Sequence, residues 1–321
     1  MKLFQQSKKR IFSPNEIIFS VTDSCNLHCE HCYVSRKGHC LNQNDAKVFL
    51  ESCKSSQNCK IDTIGFSGGE PFLNLNFITE VCKYAVQNDF MFDRIITNGC
   101  WYNDKSQLEQ KLSSLYESGF DGKIAISWDS FHGQKTEQIA DFCKAVFSIW
   151  NNFSMIEIQS VVNKNCPNFI LEKLTELAKL LNCSCTKNLE KKTNCGTIIL
   201  ENENTFIKTD VTPQCFESSN SLAWKSKKWF EEDFCEGPGQ ILFVHPNGNI
   251  APCCGFANEC KELFIGNIFQ TFETVMKQAN ENKMVKLCYE KGLSNLIKKT
   301  KTPGKTNNPC TFCQFICNQI L

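Results

Sequence analysis

The stretch VTDSCNLHCEHCY, Val21 to Tyr33, sets three cysteines at i, i+4 and i+7 at the end of a β-branched run, EIIFSVT (Glu16 to Thr22). Three thiols are one short of the four that close a structural metal site. The run before them predicts a strand, so the cysteines lie in the loop that follows it. In parallel α/β sheets that is the edge where ligands bind.

Further runs of the same kind follow: IDTIGFS (Ile61 to Ser67), FDRIIT (Phe92 to Thr97), KIAISW (Lys123 to Trp128) and IEIQSVVN (Ile156 to Asn163). Between them apolar residues recur three and four apart, as in Leu108, Leu112 and Leu115, or Leu171, Leu174, Leu177 and Leu181. Strands alternating with amphipathic helices imply parallel pairing with right-handed crossovers, hence an α/β barrel or open sheet. From Asn182 to Glu232 the text turns polar and irregular. It predicts one or two last strands (Thr197 to Leu200 and Thr205 to Lys208) and then a linking segment. ILFVHPNGNIAPCC, with Asn247-Gly248 at its turn, predicts a hairpin. A helical section is expected from Ile268 to Lys299, and a Pro/Gly/Asn-rich loop before the terminal CTFCQFIC.

Composition narrows the function. The 321 residues hold 35 Lys+Arg against 34 Asp+Glu, so no basic excess draws in nucleic acid. No stretch has the length of a membrane span or of a signal-peptide apolar region, so a cytoplasmic protein is expected. In that reducing compartment, 22 cysteines favour metal over a disulfide framework. Cys53, Cys82 and Cys143 fall in predicted helices and are expected to pack as small hydrophobes.

Cys25-x-x-x-Cys29-x-x-Cys32 after the first strand, with Gly68-Gly69-Glu70-Pro71 after the second, resembles the radical S-adenosylmethionine (radical SAM) superfamily. The resemblance implies a partial (β/α)6 TIM-like barrel. It implies that Cys25, Cys29 and Cys32 hold three irons of a 4Fe-4S cluster and leave the fourth iron for SAM. It also implies that Gly68, Gly69 and Glu70 receive the methionyl ammonium, while Asn98, Ser127 and Asp129 lie where contacts to the carboxylate and ribose are made. Asn163 is a weaker candidate. His31 stands where many members carry an aromatic residue, so Tyr33 is the candidate for stacking on adenine. Capping or turn roles are the plain alternative for these polar residues.

The last third carries Cys235, Cys253-Cys254, Cys310-x-x-Cys313 and Cys317. This set resembles the auxiliary-cluster extension called SPASM or, shortened, Twitch. It implies one auxiliary 4Fe-4S cluster on Cys235, Cys253, Cys310 and Cys313, with a zinc knuckle as the rival. The expected division is a core at 14–210, a linker at 211–234 and a small C-terminal iron-sulfur extension at 235–321. Neighbours on an extended segment point opposite ways, so Cys254 is expected to be a free thiol if Cys253 ligates. It is the candidate hydrogen-atom donor, with Cys317 and Cys260 in reserve.

The motifs TNGCWYND, SWDSFH and PCCGF resemble those of radical SAM peptide epimerases, which convert L- to D-residues in ribosomally made precursor peptides. The implied partners are a precursor peptide and an electron donor such as flavodoxin or ferredoxin. With about fifteen residues before the first strand, leader binding is expected on the barrel face or the extension. His132 is a candidate for peptide binding or proton transfer, against a structural role. The same parts serve peptide cross-linking by thioether or C–C bonds, and carbohydrate epimerisation or dehydrogenation. A non-catalytic Fe-S or zinc redox sensor is the reading from another class.

Overall fold

The computed structural model describes residues 12–231 and 240–319. They fall into two compact units. The larger comprises Phe19–Lys47 and Thr63–Gln214, and the other takes 12–18, Val48–Asp62 and the described part of Cys215–Leu321.

In the larger unit the strands are β1 (Glu16–Ser20, its last two residues), β2 (Thr63–Ser67), β3 (Met91–Thr97), β4 (Lys123–Ser127), β5 (Ile156–Val162), β6 (Ser184–Leu189), β7 (Gly196–Asn202) and β8 (Thr205–Pro213). Their order is β1-β2-β3-β4-β5-β8-β7-β6, an open α/β sheet. From β2 through β5 to β8 the pairing is parallel; β7 and β6 are antiparallel additions. The sixth parallel place is thus filled by β8, after the chain has travelled out through β6 and back through β7. β6 reads SCTKNL, too polar to announce itself as a strand, and it forms because β7 offers it a free edge.

Helices α1 (Gln43–Ser55), α2 (Leu75–Gln87), α3 (Lys105–Glu117), α4 (Thr136–Trp150) and α5 (Phe169–Leu181) intervene between strands. Asp104 begins α3 by accepting the Gln107 N–H at 2.8 Å. Leu108, Leu112 and Leu115 of α3 are buried, as are Ile170, Leu174, Leu177 and Leu181 of α5, so the apolar stripes face the sheet.

In the second unit β9 (Ile241–Val244), β10 (Asn249–Ala251) and β11 (Gly266–Asn267) pair antiparallel. The first turn is closed by Gly248 at φ +86. The expected helix over 268–299 is broken into α6 (Phe272–Glu281), α7 (Lys283–Lys286), a π turn (Leu287–Lys291) and α8 (Ser294–Ile297). Asn282 makes the break: its side chain accepts from the N–H groups of Met284 and Val285 and starts a new helix. The terminal CTFCQFIC is helical, in α9 (Pro309–Cys317), with Asn308 capping the Thr311 N–H.

Of the segment expected to link the units, 211–234, the first residues complete β8 in the larger unit, and 215–231 pack within the second one. Trp224 meets Phe315 edge to face, Phe230 lies against Phe312, and Thr311 Oγ1 donates to the Phe216 carbonyl at 2.7 Å.

Candidate radical SAM site and thiol cavity

The cysteine loop is a closed excursion from the end of β1. Leu41 N–H returns to the Val21 carbonyl and Asp23 N–H meets the His39 carbonyl. The Asp23 carboxylate, nearly buried, accepts from Gly38 N at 2.8 Å, His39 N at 3.0 Å and His39 Nδ1 at 3.0 Å. Burial raises its pKa, but the hydrogen bonds from His39, Lys37 and Gly38 outweigh that and hold it below the usual range.

The loop lies directly on the Gly68-Gly69 pair. Gly69 N–H bonds to the Thr22 carbonyl at 2.7 Å and Glu70 N–H to the Ser24 carbonyl at 2.9 Å. Gly68 sits at φ +148, and a Cβ there would stand 2.6 Å from the Thr22 oxygen. At Gly69 it would strike the Ser24 carbonyl. These glycines therefore admit the backbone of the cysteine loop. A ligand ammonium only donates, so this stretch would hold one through its carbonyl oxygens.

Glu70 turns inward. It is fully buried; Oε1 accepts from Phe72 N at 3.1 Å and Thr97 Oγ1 at 2.8 Å, and Oε2 from Asn98 N at 2.8 Å. Desolvation pushes its pKa up to about 7 against these three donors. The side chain is spent on the end of β3 and does not line the cavity described next.

A cavity of about 180 Å³ is lined by Cys25, Cys29 and Cys32, with Gly68, Gly69, Asn98, Ser127 and Tyr33 also at its wall. His31, Arg36, Thr97 and His132 add to its polar lining. Cys25 Sγ accepts from Leu27 N at 3.4 Å and faces Asn98 Nδ2 at 3.8 Å. Such N–H donors suit a thiolate, and burial, the chief influence, raises the Cys25 pKa so that a metal must displace the proton. Asn98 itself is held by Asn26 Oδ1 at 2.8 Å, and Gln134 Nε2 ties the Asn98 and Ser127 carbonyls at 2.6 Å each.

Asp129 is buried and sits behind the cavity wall. Its Oδ1 accepts from Phe131 N at 2.9 Å and His132 Nδ1 at 2.8 Å. Burial lowers the His132 pKa, but Asp129 and the Cys29 thiol prevail and raise it to about 9. His31 packs on Phe131 with centroids 4.5 Å apart. Asn163 stands aside, donating to Ser130 Oγ at 2.9 Å and accepting from Asn165 N in a turn.

In the second unit, Cys253, Cys310 and Cys313 line one small apolar cavity, joined by Cys288, which no spacing in the sequence marked. Cys288 Sγ lies 3.5 Å from Cys313 Sγ. The π turn buries both Cys288 and Tyr289, whose hydroxyl donates to the Pro252 carbonyl at 2.7 Å. Cys254 is not among the lining residues, and Cys235 lies outside the described residues. Burial raises the Cys254 pKa, which keeps it an S–H at neutral pH, and pushes Cys310 up to about 11. Cys317, fully buried, touches Cys260 and Cys313.

Residues 19–146 match the Radical SAM superfamily. The putative peptide biosynthesis protein YydG of Bacillus subtilis (strain 168) is 22% identical over 316 residues, covering 94% of this chain and 92% of its own. The antilisterial bacteriocin subtilosin biosynthesis protein AlbA of the same strain is 22% identical over 284 residues, covering 84% of this chain and 61% of its own. The solved structure of native anSMEcpe with bound AdoMet and Cp18Cys peptide shares the fold, with a TM-score of 0.52 at 15% identity over 96% of this chain and 100% of that one. Among the described residues no helix is long and apolar enough to cross a membrane.

Proposed function

Because the chain carries a radical SAM domain, whose cofactors are SAM and a 4Fe-4S cluster, we propose that it matures a ribosomally made peptide by inverting L-residues to D. The carrying observation is the three-thiol cavity. Its donor set, with N–H groups at Cys25 and carbonyls at Gly68 and Gly69, fits a cluster with one iron left for SAM. The peptide substrate class is supported by the likeness to YydG and AlbA over most of the chain.

When bound, the cofactors supply a carbon radical able to take a hydrogen atom from a peptide Cα. The chain's own residues set where that happens. Cys25, Cys29 and Cys32 hold the cluster, Gly68 and Gly69 the methionyl end of SAM, and Asn98 and Ser127 its polar flank. Tyr33 is the surface for the adenine. Glu70 and Asp129 position these groups from behind: Glu70 fixes the Thr97-Asn98 corner, and Asp129 fixes His132.

Cys254 returns a hydrogen atom from its S–H to the opposite face of the Cα radical, leaving a thiyl that needs one electron and one proton. Cys253, Cys310, Cys313 and either Cys235 or Cys288 would hold an auxiliary cluster, which would supply one-electron chemistry there with an external reductant as its source. Seating a cluster there requires the Cys288 and Cys313 sulfurs to part from their present contact if both are ligands.

The test uses anaerobically reconstituted protein with reductant, SAM and synthetic peptides made from any short reading frame found beside its gene, in deuterated water. An epimerase releases 5′-deoxyadenosine and adds one deuterium per inverted residue. A peptide that instead loses two hydrogens identifies a cross-linker and overturns inversion. Cys254→Ala is expected to release 5′-deoxyadenosine while D-residue formation stops; continued inversion at the normal rate removes Cys254 from its role.

A further inference from the structure

Two cysteines that the radical chemistry does not use lie close together at the end of α1. Cys53 sits in the last turn of the helix and is essentially buried; Cys59 follows in the connection and is half-buried. The chain between them folds back in two tight turns, Ser56 N–H to the Cys53 carbonyl at 3.2 Å and Cys59 N–H to the Ser56 carbonyl at 3.3 Å. This brings the two thiols close enough for each to influence the other's ionisation. Ile61 N–H donates to Cys59 Sγ at 3.4 Å. The neighbouring helix is fixed against the same turn, since Phe272 N–H at the start of α6 donates to Ser52 Oγ at 2.8 Å.

The two sulfurs are therefore not equivalent. Cys59 accepts from the Ile61 backbone N–H and reaches solvent, with the enclosed Cys53 thiol beside it as a second donor. Burial, Glu273 and Asp62 oppose its ionisation, yet the donors prevail and its pKa falls below the usual thiol value. Cys53 is driven the other way, first by Cys59 and then by burial. An accessible nucleophile backed by a sheltered second thiol is the arrangement of a dithiol that undergoes exchange.

We propose that Cys59 and Cys53 form a redox-active dithiol, a modification site at which Cys59 attacks a low-molecular-weight disulfide and Cys53 resolves the product. In the first step the Cys59 thiolate forms a bond to one sulfur of the disulfide, and the other sulfur leaves as a thiolate. In the second, Cys53 loses its proton and attacks Cys59 Sγ, expelling the second small thiolate. The protein is oxidised by two electrons and the small disulfide is reduced to two thiols. The pair is separate from every cysteine assigned to iron, and this inference stands apart from the proposed peptide chemistry.

The test takes anaerobic holoprotein, exposes it to oxidised glutathione, blocks free thiols with an alkylating reagent and digests with trypsin. Lysines at 47, 54 and 60 place Cys53 in VFLESCK and Cys59 in SSQNCK. The expected product is these two peptides joined by a disulfide. Cys53→Ser should hold glutathione on Cys59, while Cys59→Ser should leave Cys53 free. In unoxidised native protein Cys59 should alkylate about tenfold faster than Cys53 or more, a readout that needs no variant. The inference falls if both peptides emerge alkylated after exposure, if Cys59 is joined to another cysteine, or if the two thiols alkylate at equal rates.

Discussion

Glu70 is a carboxyl whose three hydrogen-bond donors do not overcome its burial, and that imbalance has a measurable sign. With a pKa of about 7 in the folded protein against 4.5 for the free side chain, the folded state binds more protons than the unfolded one between those values. Stability from this residue is therefore present below about pH 4.5 and is lost as pH rises toward 7, by up to about 3 kcal/mol from the cost per pKa unit. Denaturant titrations from pH 5 to 8 should show that decline. Glu70→Gln should flatten it, while destabilising the protein by about 1–3 kcal/mol because an amide NH2 would face the Asn98 N–H. Beside it, Gly69→Ala sets a methyl group against the Ser24 carbonyl and must displace the cysteine loop. The expected result is a large loss of iron from the three-cysteine site at near-normal yield of folded protein, measured by iron content and visible absorbance.

At the scale of elements, what could be read in advance follows from where the determinants lie along the chain. The five βα repeats carry local periodicity, and Cys25, Cys29, Cys32, Gly68 and Gly69 are close-set motifs, so both are legible. Asp23 and Gln134 are not. Their work is done on residues 15 and 36 positions away, and an Asp or Gln in a loop carries no mark of that. Cys288 is hidden for the same reason: its partner Cys313 is brought up by α9, across a stretch that pattern alone read as one helix. The strand β6 escaped because its pairing edge, not its own composition, makes it a strand. On α9, Cys310, Cys313 and Cys317 stand at i, i+3 and i+7 and share a helix face, but only the first two line the thiol cavity. Cys313→Ala should therefore lose auxiliary iron, whereas Cys317→Ala should keep it; equal loss in both would place Cys317 among the ligands.

For the whole molecule the decisive quantity is how iron divides between the two units. Each unit holds its own thiol set, one around the loop after β1 and one around α9 and the β9–β10 hairpin. Two four-iron clusters predict that substituting Cys25, Cys29 and Cys32 together by Ala leaves about half of the iron, and that Cys310→Ala with Cys313→Ala also leaves about half. The two halves should differ in what they do. The first variant should lose all 5′-deoxyadenosine release, because no open iron remains to bind SAM. The second should still cleave SAM but fail to complete turnover, since a thiyl at Cys254 would lack its electron. Iron analysis together with 5′-deoxyadenosine and product assays checks both arms. Zinc in place of the missing half would make the second site structural and would leave the proposed peptide inversion without an internal electron source.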